Sequence, residues 1–303
     1  MVVALNSNKN RIRLSAADKS FNVINMVILG IVTLITLYPL YYTLVASFTN
    51  PVVVNTGKFL LYPEEWFLGG YQEIFNYSLI WSSYGNTIVY TALGTLISLA
   101  TTMPLAYALS RRDFTARRVL NFLFMVTMFF QGGLIPLYIT MLKMDIINTI
   151  WAIILPGAVS VWNMIVCRSF FDASIPDELL DAAKIDGCSD FGFFFKIVLP
   201  ISTTITCVMI LFYGTGLWNS YMPALMFLKE TSKMPLQVIL RNLLIKNENI
   251  TSFTDISSAA FRQQLADQLK YCIIVVASLP LLIAYPFLQK YFVKGVLIGS
   301  IKG

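Results

Sequence analysis

Six acidic residues, Asp172, Asp177, Glu178, Asp181, Asp186 and Asp190, fall within nineteen consecutive positions, and Lys184 is the sole cation among them. The chain has no histidine, so imidazole cannot serve as metal ligand, general base or pH switch. Cys167, Cys188, Cys207 and Cys272, spaced by 21, 19 and 65 residues, match neither a zinc pattern nor a CxxC redox pair, and free thiols are expected. The one Gly-Lys pair, Gly57-Lys58, has Val52 where the first glycine of a phosphate loop would stand, so the chain is not expected to bind ATP itself. No catalytic residue, metal site or resident cofactor is expected. The acidic run is read as a docking surface.

Its local pattern is that of two short helices. Ser174-Ile175-Pro176-Asp177 reads as a helix start, with Ser174 as N-cap, Pro176 in the first turn, and Asp177 and Glu178 beside the positive dipole end. Ile175, Leu179 and Ala183 recur at i, i+4 and i+8 as an apolar stripe, flanked by Asp181 and Lys184 on a more polar face. Gly187 suits a left-handed C-cap. Ser189-Asp190 then starts a second helix through Phe191–Phe195 into Ile197-Val198-Leu199-Pro200 and the membrane. The expected product is a rigid helix-turn-helix knob in which Ala182 and Ala183 allow close approach.

The rest of the chain must hold that knob in a bilayer. Of 303 residues, 57% are hydrophobic and 13% charged, with a mean hydropathy of +0.69, whereas soluble domains carry about a quarter charged residues. The windows 20–57, 74–110, 119–142, 146–167, 197–228 and 271–289 contain no Asp, Glu, Lys or Arg. Each reaches roughly the 17–25 residues that cross a bilayer as a helix. The expectation is an all-α membrane protein forming a single domain, 1–303, with spans near 22–48, 82–109, 119–142, 147–167, 197–228 and 271–289. The loop 168–196 then joins spans four and five. With a cytoplasmic N-terminus, the inside segments carry 14 basic residues over 73 positions and the outside segments 8 over 80. Arg111-Arg112-Asp113-Phe114-Thr115-Ala116-Arg117-Arg118 is the sharpest inside signal. Both termini are therefore expected in the cytoplasm, with Phe21–Phe48 a retained anchor too long for a signal peptide. The prolines in or near the spans predict kinks, and segment 229–270 is expected to fold over the outer mouth. The basic residues flank spans and do not line a groove, so nucleic acid is not a partner.

Ion-coupled carriers usually keep a titratable group inside the membrane, and these windows hold none. What remains is a passive channel, an assembly subunit, or a permease driven by a separate motor. Asn86, Tyr90, Asn163, Tyr213 and Asn219 are candidates to line a solute path through hydrogen bonding and stacking, although polar residues in membrane helices also join helices together. A path of amides, hydroxyls and aromatic faces suits sugar rings better than metals.

Asp181-Ala182-Ala183, then Gly187, Ile197, Leu199 and Pro200 resemble the EAA loop of permeases in binding-protein-dependent ATP-binding cassette importers, with Asp181 in place of the usual Glu. Trp218-Asn219-Ser220-Tyr221, Met234-Pro235-Leu236-Gln237, Phe129-Phe130-Gln131-Gly132-Gly133-Leu134-Ile135-Pro136 and the ending Gln289–Gly303 resemble the smaller permease of maltose-type sugar importers, in its oligosaccharide and polysaccharide-fragment branch. The resemblance implies a type I ABC importer permease fold in a bacterial cytoplasmic membrane. The loop would be a coupling helix docking on an ATPase through Asp181, Ala182, Ala183 and Gly187, with Ile197, Leu199 and Pro200 leading into the span. It also implies ATP and Mg on two partner ATPase subunits, a second homologous permease, an extracytoplasmic solute-binding protein, and a tail (Lys294, Gly295, Gly299, Lys302, Gly303) reaching the ATPases. An oligosaccharide is the expected solute. A permease for a peptide or other solute is the alternative.

Overall fold

The computed structural model describes residues 15–249 and 256–300. In chain order the helices are α1 (Ala16–Ala46), α2 (Pro51–Asn55), α3 (Gly69–Asn76), α4 (Leu79–Ser110), α5 (Arg117–Phe129), α6 (Leu134–Lys143), α7 (Trp151–Ile154) and α8 (Val161–Ser174). They continue with α9 (Asp177–Ile185), α10 (Asp190–Phe193), α11 (Leu199–Ile201), α12 (Thr203–Trp218), α13 (Met222–Phe227), α14 (Leu236–Asn249) and α15 (Ile256–Ser300). Among the described residues the only extended pairing is a single bridge between Thr49 and Trp66.

Three helices are long and apolar enough to cross a membrane unaided, over Ala17–Ala46, Leu79–Ser110 and Phe261–Phe287. Three further crossings are broken. The α5/α6 pair bends by 112°, α7 and its following turn meet α8 at 49°, and the run Asp190–Ile201 meets α12 at 82°. Six charge-free windows thus correspond to three unbroken helices and three broken ones. The expected kinks hold at some prolines and not at others: Pro156 lies in the turn at the 49° break and Pro136 in the first turn after the 112° one, whereas α1, α4 and α15 run on through Pro39, Pro104, Pro280 and Pro286. The large bends sit at helix breaks, one of them opened by Gly133 at φ 83°. A proline deletes one backbone hydrogen bond, which neighbouring helices tolerate in a membrane, while a break removes several. The fifth window, 197–228, also divides, because α12 ends at Trp218 and residues 222–227 form the separate helix α13.

Helix α4 is the hub, packing against α3, α5, α8, α12 and α14. One buried cluster joins it to the knob and the inner half of α12 through Met103, Tyr107, Phe171, Phe193, Met209 and Tyr213. A second joins α3, α14 and α15 to the outer end of α12 through Ile74, Trp218, Leu236, Leu269 and Cys272. Lipid tails are as apolar as leucine, so close packing and interhelical hydrogen bonds supply the cohesion. Gln268, 1% exposed, shows how: it accepts from Gly70 N (2.7 Å) and donates to Ser47 O (3.0 Å) and Phe67 O, fastening the α1–α3 connection to α15. By contrast α1 leaves Phe21, Met26, Leu34 and Leu40 uncovered by its own chain. Its far end touches α15 through Tyr42 and Tyr271, with ring centroids 6.2 Å apart.

Candidate coupling site and outer mouth

Helix α8 outlasts its charge-free window because Phe171, 1% exposed, is part of the inner cluster. It ends where the chain meets Pro176. The residue before a proline is driven out of the α region, and Ile175 sits at φ −111°, ψ 100°. Pro176, not Ser174, is therefore the N-cap of α9, and no side chain caps it; Ser174 closes α8 instead. Asp177 and Glu178 occupy the first turn of α9 as expected. At its end Gly187 takes φ 70°, and Cys188 N donates to Ala183 O at 2.9 Å, the wrap-around bond of a left-handed helix cap. Ser189 Oγ accepts from Gly192 N at 3.2 Å and starts α10.

The apolar stripe points inward. Ile175 and Leu179 are half-buried, and Ala183 is 5% exposed against the inner cluster. This corrects the pairing of Ala182 with Ala183 as a joint approach surface. The outward face carries Asp181, Ala182 and Asp186, with Ile185 at 87% and, across the turn, Phe191 at 80% exposure. A β-carbon on Gly187 would meet nothing within 4 Å, so the cost of a side chain there is conformational alone. Gly187→Val should cost about 1–2 kcal/mol, and Gly187→Asn, which tolerates the left-handed region, appreciably less. Amide hydrogen exchange of the α9 C-terminal turn, faster in the valine variant than in the asparagine variant, is the check.

Beyond α10 the helix widens into a π-turn over Phe194–Val198 and ends at α11. Ile197 and Leu199 are half-buried there and Pro200 is exposed. Ser202, at φ −91°, ψ 24°, then turns the chain by 82° into α12. The expected straight run into the fifth span is thus an elbow, placed at Ser202, two residues past Pro200. The elbow and the buried cluster around Phe193 both join the knob to α12.

The knob is also tied sideways. Arg111, at the inner end of α4, donates through Nε to Asp113 at 2.8 Å, through Nη2 to the same carboxylate, and through Nη1 to Asp190. Lys184 Nζ lies 3.5 Å from Asp113, and Arg112 lies 3.4 Å from Asp177. The bonds to Asp113, then those to Asp190, push the guanidinium pKa up. Arg111 in turn holds the Asp113 carboxyl at about 2. The arginine-rich connection, legible only as an orientation signal, is therefore one half of an ionic contact with the acidic segment.

At the opposite end of α4 the candidate path residues hold the chain together. Asn86 Nδ2 donates to Ser232 O (2.7 Å) and Met234 O (3.2 Å), Tyr90 OH to Lys233 O (2.8 Å), and Leu236 N to Thr87 Oγ1 (2.8 Å). Four bonds thus pin the α13–α14 connection on α4. Asn148 grips it from the other side: its N–H donates to Phe227 O at 2.8 Å, its Nδ2 to Glu230 at 2.6 Å, and Lys229 N to its Oδ1 at 3.1 Å. Deeper in the bundle, Tyr213 OH lies 2.7 Å from Thr102 Oγ1 and accepts from Ser160 N at 3.1 Å, uniting α12, α4 and the start of α8. Asn163 is buried in the first turn of α8. Asn219 is exposed at the end of α12, donating to Thr215 O at 3.0 Å and accepting from Gln237 Nε2 at 3.2 Å. Of the tail residues, Lys294, Gly295 and Gly299 fall on the last turns of α15, and Lys302 and Gly303 lie outside the described residues.

Residues 77–298 match the family described as binding-protein-dependent transport system inner membrane component. The chain belongs to this family. Among curated relatives, the polygalacturonan/rhamnogalacturonan transport system permease protein YtcP of Bacillus subtilis is 40% identical over 271 residues, covering 89% of this chain and 94% of that protein. Protein LplC of the same organism is 37% identical over 287 residues, covering 95% and 96%. The arabinooligosaccharides transport system permease protein AraQ of Halalkalibacterium halodurans is 29% identical, covering 90% and 93%. Among solved structures, a chain of a bacterial ABC transporter involved in the import of the acidic polysaccharide alginate superimposes with a TM-score of 0.78 at 31% identity, covering 92% of this chain and 99% of that one. The helical, six-crossing architecture is the type I ABC importer permease fold. As an inner membrane component of a binding-protein-dependent system, the chain is a multi-pass transport permease that works with an ATPase and a solute-binding protein.

Proposed function

We propose that this chain forms half of the translocation path of an ATP-driven oligosaccharide importer. The observation that carries the reading is near-full-length similarity to permeases whose names specify polygalacturonan, rhamnogalacturonan and arabinooligosaccharides, together with a superposable alginate importer chain. The absence of an acid, base or histidine from the apolar windows supports it, since neutral amides and hydroxyls suit sugar hydroxyls. A second permease completes the path, two ATPase subunits bind and hydrolyse ATP with Mg, and this chain holds no cofactor. The α9 face with Asp181 and Ala182 meets the ATPase, Gly187 shapes its end, and Ile197, Leu199 and Pro200 carry the movement towards the elbow. Both termini lie in the cytoplasm, with 290–303 directed at the ATPases and 229–270 at the binding protein. The domain is one unit over 1–303.

The complex reconstituted in proteoliposomes should show ATP hydrolysis and uptake stimulated by a plant-cell-wall or related oligosaccharide. The same panel should contain peptides and divalent metals. Stimulation by one of those and by no glycan would remove the sugar assignment and leave the permease assignment intact. ATP turnover by the isolated chain would contradict the division of labour.

A further inference from the structure

The outer end of α12 gathers a polar cluster with a defined chemistry. Tyr221 follows α12, and Gln237 and Arg241 stand four residues apart on one face of α14. The Arg241 guanidinium lies 4.8 Å from the Tyr221 ring centroid and donates to the Tyr221 hydroxyl. Gln237 holds Asn219 at 3.2 Å, and Asn219 holds Thr215 O at 3.0 Å. Thr215 and Trp218 line a groove of about 490 Å³ between α4, α12 and α15, and Asn219 follows Trp218 directly in the chain.

Among the described residues no carboxylate cancels the charge of this cluster. Lys58, Lys233 and Lys270, on the same side of the fold, lie 2.8, 3.0 and 3.3 Å from Glu64, Glu230 and Asp267. Arg241 meets no carboxylate among the described residues, and its partners are an aromatic face and a phenol. Stacking on tyrosine orients a guanidinium at small entropic cost and leaves its remaining N–H groups free. A guanidinium so presented takes a carboxylate through two parallel hydrogen bonds. An adjacent amide pair takes hydroxyls, and an aromatic ring takes the apolar face of a pyranose.

We propose that Arg241, with Tyr221, Asn219 and Gln237, is an entry subsite for a uronic acid residue, so that the transported solute is an acidic oligosaccharide. Arg241 is the specificity-determining group, reading the carboxylate, and the amides read ring hydroxyls. This rests on the oligosaccharide-importer reading and adds the charge of the solute and the residue that senses it.

The test uses the whole reconstituted complex with its binding protein at saturation, comparing wild type with Arg241→Gln and Arg241→Lys. The solutes are an oligogalacturonate, its methyl ester of equal length, and a neutral arabino-oligosaccharide. Rates are read as variant-to-wild-type ratios, which cancels the binding protein's own preference. Arg241→Gln should lower oligogalacturonate uptake about tenfold, leave uptake of uncharged glycans within twofold, and leave co-purification with the partner subunits unchanged; Arg241→Lys should restore part of the loss. Equal losses for charged and uncharged glycans, or no loss for either, would overturn the proposal. So would a wild-type complex that carries neutral glycans and no uronate, in which case the oligosaccharide reading survives. Stimulation by no glycan at all would instead bring down that reading.

Discussion

Ala182→Trp should abolish solute-stimulated ATP hydrolysis while the permease still inserts and unfolds at its normal temperature, and Ala183→Trp should fail to fold. The two alanines are adjacent in sequence and opposite in environment. Ala182 faces outward beside Asp181 and Ile185, where an indole adds bulk to a contact surface and displaces nothing within the chain. Ala183 is 5% exposed and packs with Phe171 and Phe193 in the inner cluster. An indole there requires the cluster to open, and overpacking of this size costs about 3 kcal/mol or more, a large share of a typical 5–15 kcal/mol stability. Thermal unfolding in detergent and ATPase activity of the reconstituted complex check both halves. Normal coupling in Ala182→Trp would show that the outward face of α9 does not touch the ATPase.

Much of this site was legible before the fold. The i, i+4, i+8 spacing of Ile175, Leu179 and Ala183 already placed Ala183 on the apolar stripe, and the structure turns that stripe inward. Gly187 was readable because a helix end followed by glycine calls for positive φ, which it has. The six crossings were readable from charge alone, since a bilayer penalises every ionised side chain in a span. Their breaks were legible only in part, at Pro156 and beside Pro136. Pro39 and Pro104 sit inside continuous helices, and the 82° elbow stands two residues beyond Pro200. Whether a proline bends a helix depends on the neighbours that re-satisfy its backbone, which a local pattern does not contain.

Residues whose partners are distant in sequence were hardest to read. Gln268 bonds to Ser47, Phe67 and Gly70 about 200 positions away, and nothing near it in the chain announces that role. Asn86 and Tyr90 were legible as polar groups in a span, but their acceptors, the carbonyls of Ser232, Lys233 and Met234, lie beyond residue 230. A polar side chain that can line a path can equally close a helix interface, and tertiary placement decides between them.

The ionic contact between the arginine-rich connection and the knob is the other place where a single substitution should have a large effect. Arg111→Ala leaves Asp113 and Asp190 without their shared cation and removes the ionic tie between α10 and the inner end of α4, leaving the packing of Phe193 on Tyr107. The Arg111 side chain is 14% exposed, but Asp113 and Asp190 are 47% and 68% exposed, so water compensates part of the loss. About 1–2 kcal/mol is the expected cost, below the 3–5 kcal/mol of breaking a fully buried pair. The pH dependence has a definite sign. Asp113 ionises at about 2 in the folded chain against about 3.9 when unfolded. Its contribution is therefore complete above pH ~4 and is lost as pH falls towards 2. Across pH 5–8 the contact should stay constant, and coupling changes in that range would have another origin. The knob meets α12 through the elbow at Ser202 and through the buried cluster with Met209 and Tyr213, and α10 is held on α4, the hub of the bundle, by the Tyr107–Phe193 packing and by the Arg111–Asp190 bond. Arg111→Ala should thus uncouple ATP hydrolysis from uptake, raising ATP consumed per solute several-fold, with insertion and subunit assembly unaffected. The exchange variant Arg111→Asp with Asp190→Arg should recover part of the coupling, which a role in packing alone would not produce. Unchanged coupling in Arg111→Ala would leave the elbow and the buried cluster around Phe193 as the mechanical routes from the knob into the membrane.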